Sequence, residues 1–436
     1  MKRKIIFALA FAALTALPSA AQTSRVVTVE ELFDLVESGS KTLRERKTGV
    51  DAASHAVAEA KSCRLPDIDA SLSVSYNGNV LMTDRDLGNA RGLSSPHFGN
   101  SFALEARQAL YTGGALSAGV EMAELRLRQA ETDVELSRSQ QRFIALGQYL
   151  DLFKTDNGIK VYRDNIALTE RLIADITAKH GQGMAFKNDI TRYELQMEEL
   201  KLGLRRLEDT RAVINHQLCN TLGLSSGTRI VPDSAVVSHA ADAKTEQEWQ
   251  QMAAVSSPVL RNSGLGVQLA EQQLRMAKSD MRPKVELFAT ENFSGPFTYD
   301  IPPIDKNFNI WAVGIGIRYS LSSLFKGNKA VRRARAEVQR SRDSHAVTAE
   351  TLDNQMQEAY TLYRQSFVDL RTRQKSVELA SQNYRVVNDR YLAQLAIVTD
   401  MLDASNVKLD AELQEVNARA NTVFAYYKMK YIAGEI

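Results

Sequence analysis

Proline is scarce, with 9 in 436 residues. Each internal proline would remove a helical hydrogen bond and clash with the preceding turn, so their rarity leaves room for long uninterrupted helices. Cysteine is scarcer still: Cys63 and Cys219 are the only two. Two distant thiols exclude a disulfide-stapled scaffold. They form either one bridge or two buried free thiols, and the second is the expectation. Beyond the N-terminal segment no run of residues is apolar enough for a transmembrane helix, which needs about 20. Neither sign of charge dominates, with 54 basic and 52 acidic residues. That balance argues against a nucleic-acid partner. Five arginines cluster at Arg332, Arg333, Arg335, Arg340 and Arg342, and we read them as a solvated helix face just below a membrane.

Catalytic signatures are also missing. The six histidines, at positions 55, 97, 180, 216, 239 and 345, are scattered. None has the spacing of a metal-ligand pair. Gly113-Gly114 is followed by neither the lysine nor the hydroxyl residue that a phosphate loop needs. It reads as a strand-to-helix turn. The expectation is no enzyme, no cofactor, no catalytic residue and no metal site.

The N-terminus carries the first positive signal. Lys2, Arg3 and Lys4 precede an apolar run over 5–17, broken by Pro18 and followed by Ser19-Ala20-Ala21. That is the order of a secretory signal peptide, 1–21, cut after Ala21. An uncleaved anchor is the alternative, but the run is too short to span a bilayer. An exported chain without a membrane helix is periplasmic, secreted, or part of a β-barrel, because only helices and closed barrels satisfy every backbone group in lipid.

The chain also repeats itself. Leu152, Ile159, Ile166, Ile173 and His180 are spaced by seven, and 211 residues later stand Tyr363, Leu370, Val377, Tyr384 and Tyr391. Asp189 and Asp400 share that offset; Gly114 and Gly327 differ by 213, Pro66 and Pro283 by 217. Small loop insertions account for such drift. Two repeats are expected, 22–222 and 245–436, joined by a linker at 223–244. Each reads as a helix (29–62; 246–280), a strand pair, and a helical hairpin (about 115–222; about 328–432). A 65-residue helix is about 100 Å long. The seven-residue spacing is the coiled-coil signal.

Four segments alternate with period two. In 67–80, Ile68, Ala70, Leu72, Val74 and Tyr76 fall on one face. In 98–110 the apolar face holds Phe102, Leu104 and Ala106; in 284–293 it holds Val285, Leu287 and Ala289. In 308–321 it holds Trp311, Val313, Ile315, Ile317, Tyr319 and Leu321, with Gly314, Gly316 and Arg318 opposite. Such segments fit outer-membrane barrel strands, with 81–97 and 294–307 as surface loops. A half-buried soluble sheet alternates in the same way. Four strands cannot enclose a lumen, and an open edge in lipid is forbidden. Several chains must then share a barrel, and three would supply 12 strands.

The segment Arg390-Tyr391-Leu392-Ala393-Gln394, followed by Asp400-Met401-Leu402-Asp403-Ala404, resembles the TolC family of outer-membrane efflux proteins. The resemblance runs over nearly the whole mature chain. The family's glycine three residues after the tyrosine is Gln394 here, whereas the first repeat keeps Gly183. The resemblance implies a mixed α and β membrane protein: a long α-helical coiled-coil barrel continuous with a trimeric 12-stranded β-barrel, four strands per chain. It implies the role of exit duct for an efflux or type I secretion system. The implied partners are two further copies, a periplasmic adaptor, an inner-membrane transporter and outer-membrane lipid. Gly181, Gly183, Tyr391 and Gln394 would form hairpin tips facing the pump or adaptor. The family also implies that Asp400 and Asp403 narrow the periplasmic entrance. Independently, two aspartates three apart share a helix face and begin a helix, where the macrodipole favours carboxylates. Ordinary helix-start charge remains the other reading of that pair. The competing function is a periplasmic coiled-coil adaptor or structural protein bridging the two membranes.

Overall fold

The computed structural model describes residues 24–237, 244–298, 300, 303–393 and 395–436. The expected signal peptide, His239 and Gln394 lie outside the described residues. The chain divides into two compact units. One holds the described parts of Met1–Lys47, Thr132–Arg261 and Thr348–Ile436; the other holds Thr48–Glu131 and Asn262–Val347.

The second unit contains a four-stranded antiparallel sheet. Its strands, in spatial order, are β2 (Asp67–Tyr76), β5 (Phe98–Tyr111), β7 (Lys284–Gly295) and β8 (Phe308–Arg318). The register aligns the apolar faces across all four. Ile68 pairs with Ala106, Ala106 with Ala289, and Ala289 with Val313. Ile315 lies opposite Leu287, and Ile317 opposite Val285. That face is bare: Leu72, Trp311 and Ile317 are all more than 70% exposed. Glu291, between Leu104 and Trp311, is its one charged side chain in the sheet. The other face carries Asp67, Asp69, Glu105, Arg107, Glu286 and Arg318. Arg107 Nε donates to Glu105 at 2.6 Å. Phe288 is the aromatic exception there; it covers Gly314, whose added Cβ would lie 2.8 Å from the ring. The expected loop at 81–97 includes a small hairpin, β3 (Val80–Met82) with β4 (Arg91–Leu93).

The strand pairs feed long helices. α3 (Ala115–Gly181) and α4 (Lys187–Leu222) form the first hairpin, α7 (Ser323–Leu392) and α8 (Val398–Ala433) the second. Among the described residues no helix is long and apolar enough to cross a membrane. The seven-residue stripe is not the most buried line throughout. Leu152 and Ile159 are buried, but towards the hairpin end burial passes to Leu172 and Ile176, and His180 is exposed. A helix of 3.6 residues per turn drifts about 20° per heptad against a strict seven-residue repeat, which moves the stripe sideways.

The helices expected at 29–62 and 246–280 are each broken in two, a correction to the continuous reading. α1 (Val29–Gly39) ends at Ser40 and α2 (Lys41–Ser62) follows; α5 (Glu246–Ser256) ends at Ser257 and α6 (Pro258–Ser279) follows. Ser40 and Ser257 both turn extended, with ψ of 120°. At Ser257 the next residue is proline, which disfavours the helical conformation in the residue before it and is itself well suited to a first helical turn. At Ser40 the cause is packing. A Cβ on Gly39 would fall 1.9 Å from the Leu222 carbonyl oxygen. The contact is made by the end of α4, where Gly223 takes φ +68° and closes the helix with Leu224 N–H donating to Cys219 O at 2.8 Å. Gly434 ends α8 in the same way, with φ +77°, and packs against Ser256 and Pro258.

Two cores of the first unit are assembled from corresponding positions. Leu32, Val36, Ala145, Leu152, Leu218 and Leu222 belong to one. Trp249, Ala253, Met356, Tyr363, Met429 and Ala433 belong to the other. The offsets are 217 for the first two pairs and 211 for the remaining four. A short parallel pair that the sequence does not announce, β1 (Ser24–Val27) with β6 (Arg229–Pro232), lies in the same unit. Buried Tyr149 ties it down, donating to Val27 O at 2.7 Å and accepting from Asp233 N–H at 2.8 Å. Arg211 adds a bond to Ile230 O at 2.8 Å while pairing with Asp156 at 2.6 Å.

The cysteine expectation is half corrected. Both thiols are free, but Cys63 is exposed and only Cys219 is buried. Cys63 sits just past the end of α2, where no helix covers it, whereas Cys219 donates to Thr228 O at 3.3 Å inside the β6 contact.

Glu37 joins α1 to α3. Arg138 donates to it at 2.7 and 3.2 Å, and Lys47 at 2.8 Å. The Arg138 hydrogen bond, against the opposing effect of burial and with help from Lys47, holds its carboxyl at about 2 rather than 4.5. A depressed carboxylate stabilises the fold above the unfolded value and loses that contribution as pH falls through the folded one. The expected result is that Glu37→Gln lowers stability near neutral pH and flattens the acid side of the stability curve between about 4.5 and 2. Denaturant melts at a series of pH values check it. Both partners are about a third exposed, so solvent screening keeps the effect modest.

Candidate functional site

The two hairpin turns are built alike. In the first, α3 ends at Gly181 and the chain reverses through Gly183, at φ +75°. Met184 N–H reaches back to Lys179 O at 2.8 Å, and Gly183 N–H to His180 O at 2.9 Å. This six-to-one closure needs a left-handed residue just past the helix, a conformation glycine takes without strain. The His180 ring nitrogen Nδ1 adds a contact to Ala185 O at 2.8 Å. In the second turn, Leu395 N–H reaches Arg390 O at 2.8 Å. That bond has the same six-to-one span as the one from Met184 to Lys179.

After each turn an aspartate caps the returning helix. Asp189 Oδ2 accepts from Phe186 N–H at 3.2 Å, and Asp400 Oδ2 from Ile397 N–H at 3.2 Å. Asp400 thus has a local structural task, satisfying an orphan amide at a helix start. Asp403 follows one turn later, and both carboxylates are exposed. The neighbouring face of α8 is the buried one: Val398, Met401 and Ala404 pack with Leu172, Ile176, Tyr193 and Tyr384, and Tyr391 lies against this cluster. The two aspartates are therefore held at fixed positions by the residues beside them. Arg192 stands in the first repeat where Asp403 stands in the second, also exposed.

Tyr391 connects the two turns. Lys179 Nζ lies 5.0 Å from the centre of its ring. Burial, then the charges of Asp189 and Asp175, push its hydroxyl pKa up. Tyr193 is shifted the same way by burial. Its hydroxyl has no hydrogen-bond partner among the described residues. Both phenols stay neutral, so the charge at this end comes from carboxylates, lysine and arginine. Between the turns lies an open cleft of about 520 Å³ lined by Lys179, Gly183, Phe186, Asp189, Tyr391 and Ile397. Gly181 has no atom within 4 Å of its would-be Cβ, so packing places no demand on it.

Sequence reading missed the apolar tips. Phe186 is 80% exposed, Leu395 79% and Ile397 66%. Phe186 and Ile397 occupy helix N-cap positions, where a residue with a side-chain acceptor is the rule. An apolar residue there, followed three positions later by aspartate, was the available signal. Among the described residues no group of acidic, histidine and cysteine side chains could hold a metal ion.

Residues 249–435 match the family model described as outer membrane efflux protein. That match spans 187 of the 436 residues, less than half of the chain. Along 422 residues it is 21% identical to the proteases secretion protein PrtF of Dickeya chrysanthemi, covering 93% of this chain and 88% of that one. The fold matches several solved structures. The outer membrane protein VceC of Vibrio cholerae superposes with a TM-score of 0.75 at 14% identity, over 93% of this chain and 96% of that chain. CusC gives 0.78 at 13% identity, over 93% and 91%. The MtrE outer membrane channel of Neisseria gonorrhoeae gives 0.73 at 13%, over 93% and 88%. The fold of these structures, helical hairpins with a β domain, is thus shared along nearly the whole chain.

Proposed function

We propose that this protein is the outer-membrane exit duct of a tripartite efflux or secretion system, a passive conduit with no catalytic step. The observation that carries the reading is the sheet: four strands with one continuous, exposed, apolar face and a polar opposite face, with β2 and β8 as open edges. Open edges in lipid are forbidden, so closure needs further copies, and three chains give 12 strands. On this reading the chain is a duplicated module whose repeats are joined at 223–244, and its hairpins lie in the periplasm. Their apolar tips meet an adaptor and an inner-membrane pump. The named relative secretes proteases, which favours protein cargo as a second reading over small molecules. An adaptor role is the competing class, and the bare apolar sheet disfavours it. The test is fractionation and size: the mature chain should sediment with outer membranes and run as a trimer in mild detergent. A soluble monomer in periplasmic extract overturns the reading.

Asp400 and Asp403 are proposed as two rings of three carboxylates narrowing the entrance of that trimer. Rings of like charge attract cations and make a narrow pore cation-selective. Because Asp400, at the third helical position, also accepts from Ile397 N–H, alanine there would cost about 1 kcal/mol for the lost hydrogen bond. Asparagine keeps an acceptor for Ile397 N–H and removes the charge. The double variant Asp400→Asn/Asp403→Asn is expected to shift the reversal potential under a salt gradient towards non-selectivity, with assembly intact. An unchanged potential means the pair is helix-start charge and nothing more.

A further inference from the structure

The sheet and the helices attached to it carry opposite charge on their two edges. Strand order leaves β2 and β8 unpaired on their outer sides. Successive strands are antiparallel, so β2 and β8 themselves run in opposite directions. The first residue of β2, Asp67, and the last of β8, Arg318, therefore lie at the same end of the sheet. Both also lie on the polar face, as does Asp69, because Asp67 pairs through Arg107 and Phe288 with Gly314, in phase with Arg318.

The charge continues into the helices. Residues 318–336, the end of β8 and the start of α7, contain six bases and no acid: Arg318, Lys326, Lys329, Arg332, Arg333 and Arg335. All six are exposed. Among the described residues Arg318 has one ion pair, a loose one to Glu286 at 3.7 Å, and the other five have none. On the opposite edge, residues 51–69 contain Asp51, Glu59, Asp67 and Asp69 against Lys61 and Arg64, and Lys61 is taken by Glu124 at 2.9 Å. The four acids are exposed and have no ion pair among the described residues; Arg107, opposite Asp67, is directed to Glu105.

We infer that the β8–α7 edge of one chain docks on the β2–α2 edge of a second copy, and that Arg318 against Asp67 and Asp69, with the α7 arginines against Asp51 and Glu59, sets the register of that seam. The inference rests on the oligomeric reading above and adds its contact residues. Extending the sheet through β2 and β8 makes an antiparallel ladder that keeps all apolar side chains on one face, and a one-residue slip would reverse every one of them. Ladder hydrogen bonds are alike in every register. The charges are not, because a wrong register would set Arg318 beside the apolar face or leave the carboxylates unpaired. A head-to-tail contact of this kind generates a closed ring when its rotation closes.

The experiment is a charge exchange on the full chain. Arg318→Asp alone, and Asp67→Arg with Asp69→Arg, should each lower the trimer-to-monomer ratio in mild detergent at least tenfold. The three changes together should return it to within about threefold of the original. A paired readout is Asp69→Cys with Arg318→Cys in a chain carrying Cys63→Ser and Cys219→Ser. Oxidation should link chains into dimers and trimers, whereas Arg318→Cys with Ser73→Cys, further along the strand, should not. If the unaltered chain is trimeric, and reversals leave the ratio unchanged with no preferential link, the seam is overturned and the trimer stands. If the unaltered chain is monomeric in detergent, the oligomeric reading itself falls, and the seam with it.

Discussion

Arginine in place of Ile315 should nearly abolish insertion of the protein into outer membranes. Ile315 is 65% exposed in the middle of β8, in a row with Leu287 and in phase with Val313 and Ile317. On the proposed reading this face meets hydrocarbon. A lipid-facing arginine near the midplane of a barrel costs about 2–4 kcal/mol, and a trimer incurs that cost three times. The control is the neighbouring position. Gly316 faces the other way, and a Cβ there meets Glu286 at an ordinary 3.5 Å. Gly316→Arg would set a cation near that carboxylate and should insert with little loss. Gly314 makes a poor control, because Phe288 already fills its space. Folding into lipid vesicles, read by gel mobility with and without heating, compares the two variants. Equal insertion would mean that the apolar face is not in lipid.

The second large effect is at the break between α1 and α2. Gly39→Ala would put a methyl group 1.9 Å from the Leu222 carbonyl oxygen. Both partners are backbone, so neither can swing aside, and α1 must separate from the end of α4. Overpacking of this kind costs about 1–3 kcal/mol or more, and the rigidity of both partners puts this case at the upper end. A loss of about 3 kcal/mol is expected, with Leu32, Val36, Leu218 and Leu222 loosened together because they share one core. Ten residues on, Gly49 in α2 has no atom within 4 Å of its would-be Cβ. Gly49→Ala should stabilise by roughly 0.5–1 kcal/mol through the unfolded chain and helix propensity. Denaturant melts of the solubilised protein check both. Equal midpoints would mean that the Gly39 contact can relax.

Much of this was legible in the residues. The alternation in β2 and β8 and the proline-free stretches of α3 and α7 identify strands and helices, because backbone geometry alone imposes periods of 2 and 3.6. The tip turn was legible at Gly183, where φ of +75° favours glycine. The six-to-one hydrogen bond from Leu395 to Arg390 was not legible, because the second repeat has no glycine matching Gly183. Part of the candidate site was also hidden. The pair Asp400 and Asp403 stands out by spacing, yet its capping bond to Ile397, the ring of Tyr391 over Lys179 and the bare Phe186 and Leu395 appear only when the turns are built.

From the sequence by itself came which segments are helix or strand and which face of each is apolar, since both follow from near neighbours along the chain. Tertiary structure alone decided what meets those faces. The break at Ser40 has no proline to announce it; it exists because Gly39 abuts Gly223, 184 residues away. The pairing of β1 with β6 joins two four-residue strands about 200 residues apart, too short to carry a pattern. Its stability comes from Tyr149 and Arg211, whose reach to Val27, Asp233 and Ile230 is set by helix packing. Local backbone geometry determines an element, whereas a contact depends on everything that brings its two sides together.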